Sequence, residues 1–281
     1  MEDIEIRKVW AHNIVGEFNL ITSLLPQLPF ISFDTEFPGT VYPPQNLHLP
    51  SSELYESVKK NVNATNIIQI GITLSNGKTH YVWEFNFKDF NLSRGDLHNP
   101  DSINMLRDQG IDFEKNAQEG IASEKFIYLM LCSGLLRNSK VTWVGFHTSY
   151  DFGYLIKMLN GGKLPDHLKE FVHAVRWNFG GRVYDIKHMM KECEGLYGGL
   201  ERVAKVLGVE RTSGKCHEAG SDSLLTLQTF FKMIPSCMIY GLELHYPHIQ
   251  IRTLPHHQPQ PQFRRVVYHH PPPCYYQLIR C

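Results

Sequence analysis

The 281-residue chain carries 28 Lys plus Arg against 28 Asp plus Glu, with 42% hydrophobic and 12% aromatic residues. A net charge of zero excludes a protein that grips nucleic acid through a bulk basic field, and equally an acidic solvating chain. The balance is uneven: residues 245–281 hold four Arg and no acid, leaving minus four on the first 244 residues.

The opening MEDIEIRKVW has acids where a signal peptide places Lys or Arg before an apolar block. No apolar run reaches the ~18 residues of a membrane helix. Six Cys without a C-x-x-C pair read as reduced thiols of an intracellular protein. Along the chain, Ile14, Phe18, Ile21 and Leu25 share one face of a helix predicted over 11–25, which Pro26 ends. A strand is predicted from Phe30 to Glu36, and a weak helix over 51–60. Two β-rich runs, 67–74 and 79–87, flank Asn76-Gly77, a hairpin signal resting on tolerance of positive φ at both centre residues.

Helices are then expected at 101–108 and 123–136, a buried strand at 141–146, and a helix from near Tyr150. Further helices are expected at 165–178 and 199–207, the latter closed by Gly208, with a short strand at 182–186 between them. The last helix is predicted over 221–233. This order implies an α/β fold, a mixed sheet with helices on its faces, filling residues 1–244. The His- and Pro-rich residues 245–281 read as a disordered or polyproline tail.

Three acidic segments carry the chemistry. In Phe33-Asp34-Thr35-Glu36-Phe37, strand alternation puts Asp34 and Glu36 on one face. They are either a strand-end pair satisfied by donors and cations, or a ligand pair. Asp151 enters a helix and fits either a helix-start acid or a ligand. In Cys216-His217-Glu218-Ala219-Gly220-Ser221-Asp222, either Ser221 or Asp222 caps the last helix and His217 is a loop residue, or both His217 and Asp222 serve the site. Together they supply four carboxylates and an imidazole. Such donors suit Mg²⁺ or Mn²⁺, two of which can clamp the attacking and leaving oxygens of a phosphodiester, with His taking a proton.

The order resembles the His-containing branch of the DEDD 3′–5′ exonucleases, whose fold is ribonuclease H-like. The segments IRKVWAHN, DTEFPG, VWEFNFKDFNL, HTSYDFGYLIKML, VYDIKHMMK and AGSDSLLT resemble the mRNA poly(A) deadenylases of the CCR–NOT complex, over about Ile4 to Met233. The resemblance implies that Asp34, Glu36, Asp151 and Asp222 bind two divalent ions, Asp34 being shared, and that His217 is the general base. It also implies a NOT scaffold and a second deadenylase as partners. Residence in cytoplasm and nucleus is expected, and the lack of a long apolar run predicts no membrane. Glu218 replaces a Gln common in the family, an extra acid beside the imidazole whose charge favours the protonated ring. Phe37 either stacks on a base or packs in the core; His147 either contacts substrate or is a satisfied loop residue. Asp185 is expected to be structural. The rival readings are a related exonuclease on other RNA or DNA ends, and a catalytically silent scaffold subunit.

Overall fold

The computed structural model describes residues 4–44, 50–193 and 195–234. In chain order the elements are β1 (Ile6–Val9), α1 (Ile14–Leu24), β2 (Phe30–Glu36), α2 (Ser51–Ala64), β3 (Gln69–Ser75) and β4 (His80–Asn86). They continue with α3 (Pro100–Asp108), α4 (Phe113–Glu119), α5 (Ser123–Cys132), β5 (Thr142–Gly145), α6 (Ser149–Leu159) and α7 (Leu168–Phe179). The last are β6 (Val183–Asp185), α8 (Ile186–Met189), α9 (Leu200–Val206) and α10 (Ala219–Met233). The strands form one mixed sheet in the order β1-β4-β3-β2-β5-β6. β2, β3 and β4 pair antiparallel, whereas β1 joins β4, and β5 and β6 extend from β2, in parallel. This is the expected ribonuclease H-like arrangement.

Two apolar layers cover the sheet. Ile31 and Phe33 of β2, with Ile70, Ile72, Trp83 and Phe85 of the hairpin, pack under Phe18, Val62, Phe126, Phe152 and Phe179. Those five come from α1, α2, α5, α6 and α7. The other layer is smaller: Val144 and Ile186 meet Val203, Leu227 and Phe230 of α9 and α10. Because alternate residues of β2 face opposite layers, Phe33 anchors the first while Asp34 turns to the second.

Several boundaries differ from the sequence reading. The hairpin has a four-residue connection, with Ser75 paired to His80. Only Gly77 takes positive φ (+89°); Asn76 instead accepts hydrogen bonds from the Lys78 and Thr79 backbone N–H groups through its side chain. Helix α5 stops at Cys132 because Gly134 turns left-handed (φ +77°). β1 and α4 were not predicted. Helix α10 begins at Ala219 with Glu218 at its N-cap, so neither Ser221 nor Asp222 caps it. The tail expected over 245–281 lies outside the described residues.

Candidate active site

The site forms where β2 ends and where α6 and α10 begin. Asp34 pairs in register with Gly71 of β3. A Cβ on Gly71 would lie 1.8 Å from the Ala219 carbonyl oxygen, so the start of α10 rests directly on the sheet through this glycine. Ser32 Oγ, two residues before Asp34 on the same face, donates to the Ser223 carbonyl at 2.6 Å, and the Thr73 and Ser223 hydroxyls meet at 2.8 Å. These contacts bring Asp222, in the first turn of α10, over β2. Carboxylate oxygens of Asp34, Glu36 and Asp222 lie within 4.8 Å of one another.

Asp151 arrives from the opposite layer, in the first turn of α6. Its Oδ1 accepts the Thr35 hydroxyl at 2.6 Å. The loop leading to it is held by Asp185: Oδ1 accepts the His147 backbone N–H and Oδ2 the Thr148 N–H and hydroxyl, each at 2.9 Å. Two helix N-termini thus point their partial positive charge at the acids. This does not offset their crowding. Burial, then the charges of Asp151, Glu36 and Asp222, hold the Asp34 carboxyl well above its usual range. Burial and the charges of Asp222 and Asp151 do the same to Glu36. Burial pushes Asp151 up to about 7, the Thr35 hydrogen bond opposing it. Burial raises Asp222 as well, against the pull of Arg211.

His217 follows Cys216 on the loop before α10, exposed and with left-handed backbone (φ +59°). Its backbone N–H donates to Asp222 Oδ2 at 3.0 Å, and donor atoms of Cys216, His217 and Asp222 fall within 4.8 Å of one another. His147 is likewise exposed and left-handed (φ +62°) on the loop before α6. Phe37 is half-buried in an aromatic stack, 5.0 Å and 10° from Tyr150 and 5.3 Å from Tyr154. Both Glu218 oxygens are engaged, Oε1 by Lys8 Nζ at 2.5 Å and Oε2 by the Lys215 N–H at 3.0 Å.

Sequence reasoning missed three supporting residues. Arg211 donates to Asp222 Oδ1 at 2.5 Å and to the Lys215 carbonyl at 3.1 Å, and also reaches Glu201 and Ser221. It thereby fixes the 211–222 segment against α9. Lys8 of β1 bridges Glu218 and the buried Glu84, the latter at 2.6 Å. Gly220 N–H also donates to Glu84, at 3.3 Å. Arg211, Lys8 and Glu84 leave no periodic mark in sequence; their only signal is the unusual cost of a buried acid such as Glu84, and burial is a property of the fold.

Four converging carboxylates are hard oxygen donors whose mutual repulsion a divalent cation relieves. Arg211 touches only Asp222 among them, so the donor set fits such an ion. The fold and this acidic cleft define a nuclease-type scaffold. The chain belongs to the CAF1 family of ribonucleases, whose model matches residues 9–125 and 122–230. It is 44% identical over 253 residues to the probable CCR4-associated factor 1 homolog 7 of Arabidopsis thaliana, covering 86% of this chain and 91% of that one. It is 38% identical over 277 residues to the poly(A) ribonuclease pop2 of Schizosaccharomyces pombe, covering 89% and 82%. The solved S. pombe Pop2p structure, in its Mg²⁺- and Mn²⁺-bound form, superposes with a TM-score of 0.75 at 40% identity, covering 81% of this chain and 91% of that one. A yeast CAF1 co-crystallised with the NOT1 MIF4G domain gives a TM-score of 0.68 at 30% identity, covering 81% and 87%.

Proposed function

We propose that this protein is a divalent-metal-dependent 3′–5′ exoribonuclease that shortens mRNA poly(A) tails and releases AMP. The observation that carries the reading is the convergence of Asp34, Glu36, Asp151 and Asp222 from β2 and two helix starts into one cleft. Similarity to a poly(A) ribonuclease supports the poly(A) substrate, and similarity to a yeast CAF1 co-crystallised with the NOT1 MIF4G domain supports a NOT scaffold, beside which a second deadenylase would act.

Asp34, Glu36 and Asp222 would hold one Mg²⁺ or Mn²⁺, and Asp34 with Asp151 the other. Bound ions activate water and stabilise charge on the phosphodiester and its leaving oxygen. The protein's own residues do the rest. Thr35 orients Asp151. The His217 backbone N–H and Arg211 fix the rotamer of Asp222 by engaging its two oxygens separately. The His217 imidazole, exposed at the mouth, takes the proton of the attacking water. Asp185 holds the loop from which Asp151 enters.

The test is a time course on 5′-labelled RNA ending in a short A tail, with Mg²⁺, Mn²⁺ or EDTA. The expected result is a ladder that stalls at the tail junction and vanishes in EDTA. Asp34→Ala abolishes it while leaving the circular-dichroism spectrum unchanged. Metal-independent shortening, or full turnover by Asp34→Ala, contradicts the assignment.

A further inference from the structure

The sheet has a second end. Four loops opposite the acidic cleft, residues 25–29, 76–79, 133–141 and 180–182, contain Lys78, Arg137, Lys140 and Arg182 and no Asp or Glu; Glu5, before β1 at the other edge of this end, pairs with Arg7. All four cations are exposed. Among the described residues none of them is in an ion pair. Between the last turn of α7 and the start of β5 lies an open groove of about 650 Å³, lined by Arg137, Val141, Trp177 and Arg182. Trp177 is 61% exposed, an unusual position for the largest apolar side chain. The Arg137 guanidinium sits 5.5 Å from its ring centroid. Arg137 is held in that place by backbone: its N–H donates to the Asn178 carbonyl, and its φ is +55°.

We propose that this groove binds single-stranded RNA upstream of the 3′ end that occupies the cleft, a proposal that rests on the RNA substrate argued above. The chemistry is that of sequence-tolerant strand binding: guanidinium forks for phosphates beside an exposed indole face on which a base stacks. The two sites share one edge. β6 carries Arg182 immediately before it, exposed Tyr184 in its middle and Asp185 at its end, where Asp185 accepts the His147 N–H. An extended strand leaving the acids of β2 crosses β5, two strand spacings or about 10 Å from β2 to β6, and then follows this edge over a further rise on the order of 10 Å to the groove. An acidic peptide would satisfy the guanidinium groups but has no use for an exposed indole.

The test compares two 5′-labelled RNAs on the full chain: a short oligoadenylate filling the cleft alone, and a long RNA with the same 3′ end. Binding is read by fluorescence anisotropy in EDTA, which blocks cleavage. The expected result is that the Arg137→Gln/Arg182→Gln pair binds the long RNA about tenfold more weakly, with a logarithmic salt slope shallower by about 1.4 for two released phosphate contacts. Trp177→Ala weakens long-RNA binding about tenfold with an unchanged slope. With Mg²⁺ all variants shorten the oligoadenylate at the unmodified rate. Arg182→Gln alone, checked by its melting temperature, guards against misfolding of the pair and should lose about half of the slope change. Unchanged long-RNA affinity overturns the proposal. So does polyglutamate that competes as well as RNA and depends equally on Trp177, which would assign the groove to acidic peptides. An unmodified chain that leaves oligoadenylate intact overturns the proposed function instead, and the anisotropy still reads the groove separately.

Discussion

Asp151 sets the pH behaviour of the metal-free protein. Its folded pKa of about 7 stands above the unfolded value near 3.8, so the native state holds a proton that the unfolded chain releases. Stability from this group is fully present below about pH 4 and is lost as pH rises through 7. Asp34, Glu36 and Asp222 are raised too and act with the same sign. In EDTA the melting temperature should therefore fall between pH 4 and 7, and Asp151→Asn should flatten that fall. Mg²⁺ should restore stability at pH 7 and above, because it takes over the role of the protons. A melting temperature that rises with pH in EDTA would contradict the crowded-carboxylate picture. For His217, replacement by Ala should slow hydrolysis by about 10²–10⁴-fold, the span expected of a positioned proton acceptor. Single-turnover rates on oligoadenylate check this without interference from product release. The neighbouring Glu218 is committed to Lys8 and the Lys215 N–H, so its charge is largely compensated by contacts that the sequence spacing did not reveal.

Among the elements, α10 decides whether a site exists. Its first turn lies on β3 through Gly71, and Asp222 belongs to that same turn. Gly71→Ala should push Ala219 off the sheet, costing about 1–3 kcal/mol by overpacking and weakening Mg²⁺ binding. Urea melts with and without Mg²⁺ measure both. At the far edge, Lys8 is the cation that compensates buried Glu84. Lys8→Met should destabilise by about 3 kcal/mol, and Glu84→Gln in that background should recover most of the loss, since an unpaired buried charge is the cause. A double-mutant cycle with no coupling would remove this account. The strands and helices with strong periodicity were legible: β2 runs from Phe30 to Glu36 as its residues imply, and the hairpin follows from Asn76-Gly77. β1 was not, because Ile6-Arg7-Lys8-Val9 alternates too little and owes its extended form to parallel pairing with β4. α4 was missed since its seven residues bury only Asn116. The acids Asp34, Glu36, Asp151 and Asp222 were legible as a motif. Arg211 was not, for nothing in local spacing says that a residue after α9 will reach the first turn of α10.

At the scale of the described fold, charge is sorted between the two ends of the sheet. Acids gather where β2 ends, cations where β5 and β6 begin. Composition could exclude a bulk basic field but not this polarity, because the loops that build the cationic end lie far apart in sequence. The order of elements has a further consequence, for synthesis. Asp34, Glu36 and Asp151 are made early, but His217 and Asp222 belong to the last described helix and the loop before it. Until α10 has left the ribosome, the Asp34 face of β2 lacks its covering helix and the acidic set lacks its fourth member. Pairing elements so distant along the chain is slow relative to local helix formation. A chain that stops before Ala219 should therefore lack hydrolytic activity, an outcome that an assay of residues 1–218 on oligoadenylate checks.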